Sequence, residues 1–246
     1  MRVAIVADIH GNLDALEAVI ADIRRQAPDL VLNLGDCLSG PLQPRETADL
    51  LMDLNWPTIR GNHDREIVQT PPAGLGQSDR IAAEEIGEHH HAWLRSLPAT
   101  LTAAGDLFLC HGTPASDMAY LTERVADDGS VHPARKADLQ AATAATPGQV
   151  VLCGHTHIVR LFRLPDGKIV ANPGSVGLPG YQWDVPCQHS IEAGSPHARY
   201  LIMDRHAKTW HFTFRAVVYD WERAAASAMR HGREDWARPL ATGFMG

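Results

Sequence analysis

The sequence predicts an α/β protein whose strands form one mixed sheet or two facing sheets. In the first half, short runs rich in Val, Ile and Leu alternate with longer stretches whose apolar residues recur at helical spacing. In the second half the runs lie closer together and are joined by turn residues, as in hairpins. The length of 246 residues is within reach of one large domain with a substantial core, and no linker or repeat divides it, so residues 1–246 are read as a single domain.

The first run, "VAIVAD" (3–8), reads as a strand, and "NLDALEAVIADIRRQ" (12–26) as a helix, with Leu13, Leu16, Val19, Ile20 and Ile23 on one face. "DLVLNLGD" (29–36) and "PRETADLLMDL" (44–54) repeat the pattern, with Pro44 suited to a first helical turn. "TIRGNHD" (58–64) is a third, shorter strand candidate, and one helix is expected over about 79–95. Strands follow at "LFLCH" (107–111), "VVLCGH" (150–155) and "IVRLFRL" (158–164), the last turning through "PDGK" into "IVAN" (169–172). "ARYLIMD" (198–204) and "TWHFTFR" (209–215) read as a late hairpin, "WERAAASAMRHG" (221–232) as a helix, and the Pro- and Gly-containing tail beyond it as loose. Residues 112–133 and 178–197 are loop-like, and their length suits walls that shape a site.

Composition narrows the function classes. A net charge of -7 argues against the broad basic face that non-specific nucleic-acid binding needs, so no stable nucleic-acid partner is expected. Asp8 interrupts the N-terminal apolar run too early for a signal peptide, and no run reaches membrane-spanning length, so a cytoplasmic location is expected. Cys37, Cys110, Cys153 and Cys187 form no CxxC pair and are read as reduced thiols, the first three as small packing residues and not a redox switch. The triplet His89, His90 and His91 spreads around a helix and is not read as a metal site.

Polar residues recur where the core strands end. Asp8 and His10 follow the first, Asp36 the second, Asn62 and His63 the third, His111 the fourth, and His155 and His157 the fifth. The carboxyl ends of parallel strands face one crevice, so these scattered positions converge. Asp8 with His10, and His155 with His157, are i, i+2 pairs that an extended chain would project to one side. Carboxylate, imidazole and amide donors without a thiolate pattern suit Mn, Fe, Zn or Ni. Seven ligands are too many for one ion and fit two sharing a carboxylate, for which Asp36 is the natural bridge.

In order, "DIHGN", "GD", "GNHD", "CHG" and "GHTH" resemble the motifs of the calcineurin-like metallophosphoesterases, and "HGTP" with "NPGSVG" looks like their bacterial phosphodiesterase branch. The resemblance spans residues 8–177. It implies two facing mixed β-sheets flanked by helices, a four-layer αββα sandwich with a dinuclear metal centre at the strand ends. Matched by position, one ion would take Asp8, His10, Asp36 and His157, and the other Asp36, Asn62, His111 and His155. His63 would serve the substrate and not a metal, and Arg65 could grip a phosphate. The ions would be divalent, manganese first. The implied reaction is in-line attack of a metal-bridging hydroxide on a small phosphate ester or nucleotide-like substrate, a diester before a monoester or a nucleotide pyrophosphate. "GDCLSGPLQP" (35–44) lacks the Asp-Arg-Gly of the protein phosphatases, which argues against phosphoprotein substrates and leaves the orienting partner of His63 unidentified, with Asp64 a candidate only by its proximity in sequence. The rival reading is a scaffold on the same fold without catalysis; the filled ligand positions and His63 favour the enzyme.

Overall fold

The structure is a computed structural model that describes residues 1–207 and 209–246. In chain order the elements are β1 (Arg2–Val6), α1 (Leu13–Gln26), β2 (Leu30–Asn33), α2 (Pro44–Leu54), α3 (Asn62–Gln69), α4 (Gln77–Glu85), α5 (Glu88–Ser96), β3 (Thr100–Ala103), β4 (Leu107–Cys110), β5 (Glu123–Val125) and β6 (Val131–Pro133). They continue with α6 (Lys136–Thr143), β7 (Val150–Leu152), β8 (Arg160–Arg163), β9 (Ile169–Asn172), β10 (Gly180–Trp183), β11 (His189–Glu192), β12 (Ala198–His206), β13 (Thr209–Val217), α7 (Trp221–Arg230) and α8 (Glu234–Thr242).

Two mixed sheets form the frame. One has the order β13-β12-β1-β2 and the other β3-β4-β7-β9-β8. β1 is parallel to β2 and antiparallel to β12, with Val3 opposite Leu30 and Met203, while β4, β7 and β9 run parallel. Val3, Ile5 and Ala7 meet Leu32, Leu107, Leu109, Val150 and Leu152 in the layer between the sheets. Ala4 and Val6, on the other side of β1, pack with Leu16 and Val19 of α1. Burial on both faces explains why β1 is continuously apolar where a surface strand would alternate. Across the second sheet, Val151, Val170 and Cys153 pack with Leu139 of α6. The result is the layered α/β arrangement that the resemblance implies. Among the described residues no helix is long and apolar enough to cross a membrane.

Three local expectations change. Of "TIRGNHD" only Thr58 bridges to Asn33, and residues 62–69 are α3, because the Asp64 carboxylate folds back to accept the Gly61 N–H at 3.0 Å and starts a helix. The single helix over 79–95 is two, α4 and α5, broken at Ile86 and Gly87, where the Gly87 N–H turns to His90 Nδ1 at 3.0 Å. The tail is helical: α8 carries Glu234 and Asp235 in its first turn, buries Trp236 and Leu240 at i, i+4, and ends at Gly243 in the left-handed region. The segments 112–133 and 178–197 contain the two-stranded pairs β5–β6 and β10–β11.

Candidate metal centre

The loops after β1 and β2 are zipped together by their backbones. Asp8 N–H donates to Gly35 O, His10 N–H to Asp36 O and Gly11 N–H to Cys37 O, at 2.9–3.0 Å. Within this frame Asp8, His10, Asp36, His155 and His157 take φ of +55°, +53°, +54°, +69° and +56°. Left-handed backbone costs a non-glycine residue roughly 1–2 kcal/mol, and it persists where the surroundings impose it. The i, i+2 pairs therefore converge through paired left-handed turns, not through the extended chain that the spacing suggested. Gly61 presses so closely on Asp36 that a Cβ there would collide with the Asp36 carboxylate.

The side chains gather in two adjacent groups, Asp8 with His10 and His157, and Asp36 with His111 and His155; within each, the donor atoms lie within 4.8 Å of one another. The two groups abut, since His111 Nε2 is 3.0 Å from Asp36 Oδ2 and 3.9 Å from Asp8 Oδ1. All four imidazoles are held alike. His10 Nδ1 meets Ser39 O at 2.9 Å, His111 Nδ1 meets Leu34 O at 2.8 Å, His157 Nδ1 meets Leu178 O at 2.6 Å, and His155 Nε2 meets Met118 O at 3.0 Å. A carbonyl only accepts, so each of these nitrogens carries the ring proton, and a neutral ring then turns the lone pair of its other nitrogen inward.

Those lone pairs face other acceptors. His10 Nε2 and His157 Nε2 stand 3.2 Å apart, and His157 Nε2 is 3.5 Å from Asp8 Oδ1. The Asn62 amide oxygen points among His155 Nδ1, His111 Nε2 and Asp36 Oδ2, at 3.0, 3.1 and 3.3 Å. Protein atoms alone would favour that amide turned over, whereas a cation at the point of convergence needs the oxygen where it is. Asp8 Oδ2 is fully buried with no hydrogen-bond partner. Against its burial, the carboxylate of Asp36 with that of Asp8 raises His111 to about 9, while burial pushes His10 down to about 4 and His155 to about 3. Protons and divalent cations would compete for the same place, and the donor set fits the cations.

His63 is outside both groups. Its backbone N–H donates to Asp36 Oδ1 at 3.0 Å, and its ring Nδ1 meets Asp79 Oδ1 at 2.8 Å. Asp36 and Asp79 outweigh burial and raise the half-buried imidazole to about 10. Its partner is therefore Asp79 and not Asp64, whose carboxylate instead accepts the N–H groups of Asp36, Cys37 and Gly61 at 2.8, 2.9 and 3.0 Å. Asn62 and His63 diverge as neighbours on a helix, not as alternate residues of a strand.

Arg65 is not gathered with the others. It makes a forked pair with Asp117, Nε to Oδ2 at 2.7 Å, tying α3 to the 112–133 segment. The arginine that does line the cleft, Arg233, lies in the tail read as loose. It pairs with Asp235 at 2.7 and 2.8 Å, donates to Ser78 Oγ at 2.9 Å and lies over Trp236, whose ring stands edge-on to His10 at 5.8 Å. The acidic first turn of α8 and the i, i+4 pair of Trp236 and Leu240 were the available signals. Cys37, Cys110 and Cys153 are buried, and burial raises their thiols, Cys110 to about 12. At the histidine triplet both nitrogens of His90 are engaged, with Gly87 N–H and with Asp49 Oδ1.

A family model described as the calcineurin-like phosphoesterase superfamily domain matches residues 1–189. The chain belongs to the calcineurin-like phosphoesterase superfamily. The chain is 24% identical over 260 residues to an uncharacterized protein of Methanocaldococcus jannaschii, covering 95% of the chain and 94% of the relative. It superposes on a metallophosphoesterase from Sphaerobacter thermophilus with a TM-score of 0.75 and 25% identity, over 99% of this chain and 100% of that one. A putative diadenosine tetraphosphatase shares the fold at a TM-score of 0.53 and 18% identity, over 87% of this chain and 93% of the other. α7 and α8, which bring Arg233 and Trp236 to the cleft, lie beyond the residues that the family model matches.

Proposed function

We propose that this phosphoesterase is a dinuclear, divalent-metal-dependent phosphodiesterase acting in the cytoplasm on a small phosphate ester. One observation supports this above all. Four imidazoles, each oriented by a backbone carbonyl, aim inward with two buried carboxylates and one amide oxygen. In this reading Asp8, His10, Asp36 and His157 hold one ion, and Asp36, Asn62, His111 and His155 the other, with manganese the first choice. Bound there, two such ions would act as Lewis acids towards phosphate oxygens and activate water for in-line attack.

The remaining work falls to the chain's own groups. The backbone carbonyls fix ring orientation, so no side-chain rearrangement is needed before binding. His63, anchored at Nδ1 by Asp79, presents Nε2–H to the cleft and donates a proton to the leaving oxygen. The preference for a diester rests on the "HGTP" and "NPGSVG" segments, and the four free cysteines accord with a reducing compartment.

The test is to strip the protein, reload it with Mn, Fe, Zn or Ni, and assay mono- and diesters side by side. Turnover of a diester that depends on loading supports the reading. Loading without turnover of any ester would favour a scaffold, and faster monoester turnover would reverse the preference.

A further inference from the structure

Two grooves meet over the centre. The larger, about 490 Å³, is lined by His63 of α3 with Arg233 and Trp236 of the C-terminal segment, and by Met118, Tyr120 and Trp183 of the segments 112–133 and 178–197. The smaller, about 290 Å³, shares those last three residues and continues along Val185 and Pro186. Trp183, with Met118 and Tyr120, therefore borders both a cleft that holds the candidate chemistry and a groove that holds none. It is 41% exposed and Val185 65%, an apolar edge beside a polar site. The wall behind it is fixed: Tyr120 Oη meets Tyr181 Oη at 2.9 Å and His189 Nε2 at 3.0 Å, and Tyr181 Oη also reaches His155 O at 3.0 Å.

Charge limits what can enter. The larger groove is lined by Glu66 and Asp235 besides the buried Asp36 and Asp79, contains no lysine, and has one arginine already paired with Asp235. The smaller adds Arg124 beside Glu123, which is itself paired with Arg160. Beyond the two proposed cations, the residues lining the grooves offer further phosphate charge only the His63 imidazole, itself held by Asp79, and Arg124. Resting on the phosphodiesterase reading, we propose that the substrate is a phosphodiester with one negative charge whose retained substituent is a planar, nucleoside-like group crossing Trp183 into the second groove. The leaving oxygen lies beside His63, and Trp183 sets the specificity for the retained group.

The test holds the leaving group constant and varies the retained one: thymidine 5′-(p-nitrophenyl) phosphate against methyl p-nitrophenyl phosphate, on manganese-loaded protein. Stacking of one base is expected to favour the thymidine diester by about 10- to 100-fold in kcat/KM, carried by KM. In Trp183→Ala the ratio of the two kcat/KM values should fall by about 10-fold, and Trp183→Phe should restore much of it. Calorimetric titration with thymidine 5′-methylphosphonate, singly charged, should show the same loss of affinity without turnover. ATP and diadenosine tetraphosphate should be at least about 10-fold poorer substrates than the thymidine diester. An unchanged ratio in Trp183→Ala, or preference for either polyphosphate, would overturn the inference and leave the phosphodiesterase reading standing. Failure to cleave both diesters with any metal would remove that reading and the inference with it.

Discussion

Replacing Asp79 with asparagine separates charge from orientation at His63. Asp79 is 2% exposed, so water screens its charge little, and its Oδ1 accepts from His63 Nδ1 at 2.8 Å. Asparagine keeps an oxygen in that place and can still accept the ring proton; only the carboxylate charge is lost. A hydrogen bond to a charged group contributes about 1.5–3 kcal/mol and a neutral one about 0.5–1.5, so the substitution removes about 1–1.5 kcal/mol. If the imidazolium donates to the leaving oxygen, kcat on an ester with an alkyl leaving group should fall about 10-fold. Asp79→Ala also frees the ring and should cost about 100-fold. A p-nitrophenolate departs without a proton, so on that ester Asp79→Asn should lose less than about 3-fold. The assay is steady-state kinetics on the two esters, with bound metal quantified in each variant. Equal losses on both esters, or depleted metal, would refute this role for the pair.

Three further outcomes follow from separate parts of the structure. His63→Ala should retain its bound metal and its Tm while losing about 10²–10⁴-fold in rate on alkyl esters, as a missing general acid would; a fall in metal content by elemental analysis would return His63 to the ligands. Asp64→Ala strips the acceptor from three buried N–H groups, each loss costing about 1–3 kcal/mol, and should lower the Tm by about 10 °C in calorimetry at saturating metal; an unchanged Tm would contradict it. Asp22 accepts from Tyr200, Arg25 and Arg215, which against its burial hold its carboxyl below the ordinary range. A depressed folded pKa stabilises above the unfolded value near pH 4 and is lost as pH falls through the folded one. Asp22→Asn should therefore be about 1–3 kcal/mol less stable at pH 7, allowing for the exposed arginines, and the gap to wild type should close below about pH 4 in urea titrations; a gap constant with pH would contradict it.

Most of the ligand-type residues were legible because they stand at the end of a strand whose own pattern is unmistakable: "VAIV" and "VVLC" are apolar throughout, which two-sided burial requires. How they converge was not legible. Left-handed φ at Asp8 and His10 is held by backbone bonds to the distant loop after β2, and no local propensity encodes them. Asp79 was invisible for a related reason, since "GLGQSDRIAAEE" reads as an ordinary acidic helix start and only the packing of α4 on α3 brings it to His63. The tail misled through composition: Pro239 and the glycines suggested looseness, yet the burial of Trp236 and Leu240 holds α8 over the site.

In the proposed dinuclear centre, Asp36 would join the two ions. Crystals grown with manganese and measured on both sides of its absorption edge give the direct test. Two anomalous peaks about 3.5–4 Å apart are expected, one beside Asp8, His10 and His157, the other beside Asn62, His111 and His155, with an Asp36 oxygen between them. A single peak at full loading, or an Asp36 carboxylate turned away from both positions, would contradict it.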